Sequence, residues 1–284
     1  MKFDFIEKYR SLFAVEKMCR VLGVSRSGYY AWRERKPGKR AVENTRLFVK
    51  VNAIFEESKR TYGSPRIVAE LHKEGIRCGK NRVARIMRQY NISPIPRKKF
   101  KVTTNSDHSE EISPNLVNRN FNQEAPNRVW VSDITYIWTK QGWLYLAIIL
   151  DLFSRKIVGW STSNRITASL IITAMKNALT LRQVDAGLIL HSDQGCQYAS
   201  KSFRQLLKDN EVAQSMSRKG NCYDNAVAES FFKTIKTELV KRTLFETRDN
   251  ANLKLFDYIE IFYNRQRKHS TLNYKSPNEY ELTV

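Results

Sequence analysis

Three acidic residues occupy settings that could support chemistry: Asp133 in VWVSDITYIW, Asp193 in LILHSDQGCQY and Glu229 in NCYDNAVAESFFKTIKTEL. The first two lie in, or at the end of, apolar β-like runs. The third falls on an expected helix, with 35 residues between it and Asp193. An ionised carboxylate in an apolar strand is costly unless something neutralises it. Three of them gathered by folding would repel one another, and hard divalent cations are the usual remedy. Two cations held by such a set can clamp the attacking and leaving oxygens of a phosphodiester. The chemistry open to these residues is therefore metal-dependent phosphoryl transfer at a phosphodiester.

Each residue also has a plainer reading. Asp133 could face solvent on an edge strand. Asp193 precedes Gln194-Gly195 and could serve a turn, and Glu229 could sit on the solvent side of its helix. The helix pattern favours a shared site. Ala228, Phe232, Ile235 and Leu239 form an apolar stripe, while Asn225, Glu229, Lys233 and Lys236 form a second one. A helix laid against DNA would use Glu229 on metal and the two lysines on phosphates. Lys219 is a further candidate contact. Asp151, in LAIILDLFSRKIVGW, is a decoy whose expected duty is pairing with Arg155 or Lys156, or accepting backbone N–H bonds at a strand end. Asp224 is expected to be the N-cap of the Glu229 helix.

The rest of the chain must position these groups. At 284 residues and 42% hydrophobic, it has room for one core of ordinary size plus small modules. Its net charge of +21 is uneven: residues 1–100 hold 25 Lys/Arg against 9 Asp/Glu. A basic third joined to a less charged remainder points to a polyanion-binding module. Cys19, Cys78, Cys196 and Cys222 are scattered without a Cys-x-x-Cys pair, as are the four histidines, which disfavours structural zinc. MKFDFIEKYR is too polar for a signal peptide, and Trp143–Leu150 is too short to span a bilayer. The expectation is a soluble, cytoplasmic protein working at the nucleoid, with no membrane contact.

Residues 12–22 read as an amphipathic helix ending at Gly23, and Ser25 as the N-cap of a second helix. This is the outline of a helix-turn-helix within residues 1–40. A second unit, 41–100, has a helix over 42–58, then Ser64 as N-cap with Pro65 at the first helical position. A third helix begins near Gly79 with Arg82, Arg85 and Arg88 at helical spacing, a candidate recognition helix. Residues 101–127 read as a linker. From 128 to 284, strands at 129–138, 143–153 and 156–163 precede a helix over 167–182. A strand at 187–192, a helix at 203–210, a strand at 212–217 and a long helix from near Asp224 follow. The class is α/β, a mixed sheet with helices on both faces, compatible with a ribonuclease H-like core.

VSDITYI, LHSDQGCQYAS, SMSRKGNCYDNAVAESFFKTIKTEL and YNRQRKHSTLNYKSP occur in this order. Together with GVSRSGYYAWR and YGSPRIVAELHKEGI, they resemble the DDE transposases of bacterial insertion sequences, which have a retroviral-integrase-like core. The likeness is to the second-reading-frame (OrfB) type. It implies a ribonuclease H-like fold and a catalytic triad on Asp133, Asp193 and Glu229. It also implies two Mg²⁺ ions, with Mn²⁺ a possible substitute, and metal-dependent cleavage and strand transfer of element ends into target DNA. The expected partners are DNA, further copies of the chain on DNA, and an upstream-frame (OrfA) product, separate or fused. Tyr263, Asn264, Arg267 and His269 fall on a family signature. There Arg267 could bind phosphate or order the catalytic helix, or pair with Asp257 or Glu260. A zinc-binding His/His/Cys/Cys module and a long leucine heptad are both missing from the sequence. Two other readings remain: a non-catalytic helix-turn-helix regulator or inactive remnant, and a ribonuclease H-type hydrolase.

Overall fold

The computed structural model describes residues 1–36, 38–94, 112–218 and 222–283. Three short helices open the chain: α1 (Lys2–Tyr9), α2 (Val15–Val21) and α3 (Arg26–Glu34). They bury Ile6, Met18, Cys19 and Tyr29 around one small core. Ser25 caps α3 as expected, its Oγ accepting from the Gly28 N–H at 3.0 Å. Helix α1 was not foreseen from the sequence.

Helices α4 (Lys39–Glu57), α5 (Ser64–Lys73) and α6 (Lys80–Gln89) build a second core from Leu47, Val51, Ile54, Phe55, Ile67, Leu71, Val83, Ile86 and Met87. Their apolar positions recur every three or four residues, so each helix turns one stripe inward. The cap of α5 is Gly63 rather than Ser64, and Ser64 is already helical.

The larger unit is a five-stranded sheet in the order β3-β2-β1-β4-β5. Its strands are β1 (Val129–Thr139), β2 (Gly142–Asp151), β3 (Ile157–Ser163), β4 (Ile189–Ser192) and β5 (Ala213–Met216). The first three form an antiparallel meander, while β4 pairs parallel to β1 and β5 parallel to β4. This is the ribonuclease H-like arrangement. Strand β2 reads as a nearly unbroken apolar run because both its faces are covered. One face packs on α7 (Ala168–Leu181), α8 (Cys196–Ala199) and α9 (Lys201–Asp209). The approach of α7 to β3 is close enough that a Cβ on Gly159 would lie 2.4 Å from the Ala174 carbonyl oxygen.

The other face packs on α10 (Ala226–Glu238), α11 (Arg248–Phe256) and a π-helical stretch, Asp257–Tyr263. A short helix α12 (Pro277–Glu281) follows. Residues 112–127, expected as linker, are bound to this unit. Val117 is buried in the core, the Leu116 N–H donates to Ser215 Oγ at 2.9 Å, and Arg119 reaches Asp224. Backbone and side-chain donors along the stretch find acceptors about 100 residues away in sequence.

The helical unit α4–α6 docks on the C-terminal segment. Tyr62 donates its hydroxyl to the Gln266 carbonyl at 3.2 Å and accepts the Lys268 N–H at 2.8 Å. Lys73 and Lys268 both bind Glu279, and Lys59 pairs with Asp257. Among the described residues, no helix is long and apolar enough to cross a membrane.

Candidate active site

Parallel pairing is what brings the first two carboxylates together. Val131 of β1 lies beside His191 of β4, so the same register carried two residues further places Asp133 next to Asp193, one residue past the end of β4. The alternation of side chains along β1 turns Val129, Val131 and Asp133 to the sheet face that α10 covers. Helix α10 is tied down at its start, where the Asn225 amide donates to the Ser132 carbonyl at 3.1 Å. Glu229 lies four residues on, about one turn, and therefore on the same side of the helix as Asn225. The apolar stripe of α10 is as expected, with Ala228, Phe232 and Ile235 buried, joined by Phe231.

The three carboxylates share one electrostatic field. Asp133 is held well above the usual carboxylate range, first by burial and then by Asp193. The Ile134 N–H works the other way, Glu229 raises it again, and Lys236 opposes. Glu229 is raised by burial and by Asp193. Lys236 is lowered by burial, against the pull of Asp133. Two of the acids each turn an oxygen to a neighbouring backbone donor: Asp133 accepts from Ile134 N–H at 2.7 Å, and Asp193 from Gly195 N–H at 3.0 Å. Among the described residues, no three acidic, histidine or cysteine side chains close on a common point.

The donor set is nonetheless the one hard cations prefer: carboxylate oxygens, mutually repelling and partly desolvated. Asp133, Asp193 and Glu229 are the groups that would hold such an ion, whose positive charge would offset the repulsion among them. The residues therefore fit metal on donor chemistry and charge, with side-chain rotation left to complete the shell.

Around this centre several side chains hold position. Tyr198 hydroxyl and Ser132 Oγ lie 2.8 Å apart beneath Asp133. Asp224 is not the N-cap of α10, a position taken by Asn225. Asp224 is instead fully buried and bound by the Arg218 N–H, the guanidiniums of Arg218 and Arg119, and the Asn115 amide. The clamp ties the 112–119 segment to the turn that launches α10. Asp151 behaves as the decoy reading said, accepting the Asn127 and Phe153 backbone N–H groups at 2.9 Å each.

The candidate DNA contacts divide. Lys233 is exposed beside a cleft shared with Arg66, Ser230 and Thr234, and Lys236 is half-buried against Tyr136. Arg85 and Arg88 are exposed on α6, whereas Arg82 is half-buried and bonded to Glu43 and Asn44. Lys219 lies outside the described residues. Arg267 is corrected as a DNA contact and follows the helix-ordering reading instead: its side chain is 3% exposed and forked onto Glu238, the last residue of α10, at 2.7 and 2.8 Å, and not onto Asp257 or Glu260. Burial raises the Glu238 carboxyl, but Arg267 and Tyr258 outweigh it and hold the group below its ordinary range. The signature is thus a buried brace at the end of α10. Asn264 completes it by bonding both the N–H and the carbonyl of Ile157 at 3.0 Å. Burial, reinforced by Arg267, pushes the His269 imidazole well below its ordinary range.

Known proteins resemble this chain along its length. Residues 123–222 and 210–277 match two families described as integrase core domain, and residues 43–100 match an HTH-like domain. A 31 kDa protein of insertion element IS600 from Shigella sonnei is 44% identical over 260 residues, covering 92% of this chain and 96% of its own length. The InsF transposase of insertion sequence IS3A from Escherichia coli K12 is 40% identical over 283 residues, covering 99% of this chain and 98% of its own. The chain belongs to the insertion-sequence transposases with an integrase core. A solved structure of the HTLV-2 integrase catalytic core domain with magnesium aligns over 56% of this transposase and 99% of that chain, at 18% identity and a TM-score of 0.43.

Proposed function

We propose that this transposase cuts and joins the DNA ends of a bacterial insertion sequence by metal-dependent in-line phosphoryl transfer, with Asp133, Asp193 and Glu229 as its catalytic carboxylates. The observation that carries the reading is the parallel register that sets Asp193 beside Asp133, under a helix pinned by Asn225 so that Glu229 faces both. A fold that packs three carboxylates so that two lie raised has a use for cations there.

Asp133 and Asp193 would hold two Mg²⁺, or Mn²⁺ in their place, and Glu229 would complete the second ion's shell. Bound there, the ions would supply Lewis-acid stabilisation of the attacking and leaving oxygens. In cleavage, water adds to the scissile phosphorus and the P–O3′ bond breaks, leaving a 3′-hydroxyl on the element end. In joining, that 3′-oxygen bonds to a target phosphorus and displaces the target's own 3′-oxygen, so phosphodiester bonds are conserved. Water and DNA supply the nucleophiles, and no Ser or Tyr of the chain is needed. Lys233 and Lys236 extend the carboxylate stripe along α10 and would steady the flanking phosphates. Arg85 and Arg88 on α6 would engage duplex further away.

The reading places the protein on chromosomal DNA in the cytoplasm, as several copies on paired ends, with an upstream-frame partner or fusion assisting. Strand transfer of a labelled, pre-cut element end into plasmid DNA tests it. Joining should need Mg²⁺ or Mn²⁺, stop with EDTA and vanish in Asp193→Asn. Tight, salt-sensitive DNA binding without joining, even as the longer fused product, would favour a regulator instead. Preference for RNA–DNA hybrid over duplex DNA would favour a ribonuclease H-type hydrolase.

A further inference from the structure

Strand β4 pairs with β1 only along Val129–Val131. Beyond Ser132 the β4 side of β1 carries no strand ladder among the described residues, and α10 borders it. Lys236 reaches across from α10 to lie 4.7 Å from the centroid of the Tyr136 ring. Tyr136 begins a row of three aromatics on one face of the β1–β2 hairpin. Trp138 is two residues on, and Trp143 stands directly opposite Trp138.

The rings pack edge to face, with centroids 5.1 Å apart for Tyr136 and Trp143 and 4.9 Å for Trp138 and Trp143. They are also 42%, 55% and 43% exposed, respectively for Tyr136, Trp138 and Trp143. Three large aromatics that order one another and still show about half their surface to water form a recognition feature rather than a core. At ~3.3 Å per strand residue, Tyr136 lies about 10 Å and Trp138 about 17 Å along β1 from Asp133, on the opposite face of the strand by the alternation of side chains, with Lys236 reaching round the unpaired edge to Tyr136. That is a reach of roughly three to five stacked nucleotides, at ~3.4 Å each.

We propose that Tyr136, Trp138 and Trp143 form a stacking platform for unpaired DNA bases beside the cleavage site, with Lys236 binding the adjoining phosphate. The proposal rests on the transposase reading above. Aromatic faces accept any base, so the platform would serve without regard to sequence. The charge at its rim selects nucleic acid over a protein surface. Lys236 is half-buried and forms no ion pair among the described residues. A nucleotide brings an anion to it along with the base, whereas an apolar protein face would cover the ammonium without a partner.

The full chain would be titrated with two element-end duplexes, one fully paired and one with a three-nucleotide unpaired extension carrying 2-aminopurine. The extended duplex should bind more tightly and its fluorescence should be quenched. Trp138→Ala and Trp143→Ala should each weaken the extended duplex about ten-fold while sparing the paired one, and Trp143→Phe should restore most of the loss. Equal losses on both duplexes, or none, would overturn the platform. So would a change of oligomeric state in sedimentation velocity with discrimination intact, which would make the face a contact between copies. Wild-type joining, lost in Asp193→Asn, is run alongside. If joining is present and discrimination does not change, the platform alone fails; if joining is absent under every metal condition, in the longer fused product as well, the site reading falls and takes the platform with it.

Discussion

Glu229 and Arg267 show how little a residue's type says about its job until its neighbours are known. Both are charged, and both fall in regions the sequence marks for DNA. Glu229 shares an electrostatic field with two other carboxylates at the start of a helix, and its amide analogue keeps the shape while removing the charge proposed to hold metal. Glu229→Gln should lower strand transfer by at least about 100-fold, since losing even an outer-shell partner of a metal ligand costs about 10–100-fold, with DNA affinity near normal. Single-turnover joining and a gel-shift titration would measure the two. Arg267 is paired with Glu238 inside the protein. Arg267→Ala should therefore destabilise the fold by about 3–5 kcal/mol, because Glu238 is left buried and unpaired. Urea unfolding would show it, and an unchanged salt slope of DNA binding in the folded fraction would separate a brace from a phosphate contact.

Among the elements, α10 and β1 matter most, and Asn225 couples them. Its amide bond to the Ser132 carbonyl joins the residue before Asp133 to the turn before Glu229. Asn225→Ala would leave a buried carbonyl without its donor, at a cost of about 1–3 kcal/mol. It would also free the helix start to drift from the strand. The expected result is a lower kcat for joining with KM for DNA nearly unchanged, since phosphate contacts further along α10 persist. An equal fall in binding would mean that Asn225 touches DNA instead. Asp224 makes the complementary link, tying the 112–119 segment to the same turn through Arg119 and Arg218.

For the molecule as a whole, the joint between the basic helical unit and the core decides how bound DNA could be presented to the carboxylates. Glu279 is central to it, binding both Lys73 and Lys268. Burial raises its carboxyl, but the two lysines and the Ser276 N–H outweigh this and bring it to about 2. A carboxyl depressed in the folded state contributes stability above its unfolded value, and that contribution is lost as pH falls through the folded one. The joint should hold fully above pH ~4.5 and loosen toward pH 2. Glu279→Gln should remove that part of the acid dependence and be less stable than wild type at neutral pH. Denaturation midpoints measured from pH 2 to 7 would show the two curves converging at the acid end.

Local rules made much of this chain legible from its sequence alone. Periodicity of 3.6 or 2 marked most helices and all five strands to within a few residues, because burial of one face is a local constraint on spacing. The charge asymmetry and the order of the motifs pointed to the family that the relatives establish. What the sequence left open needed neighbours from afar. It left 112–127 as a linker because its partners, Ser215 and Asp224, lie about 100 residues on. It offered Arg267 two acids within ten residues, whereas the folded chain joined it to Glu238, 29 residues away, at the end of α10. The sequence offered Asp193 both as a turn residue and as a site carboxylate, and a parallel register carries it toward Asp133. Pairing across a sheet and packing of a helix on it are long-range events, and they decide which of many acids share a field.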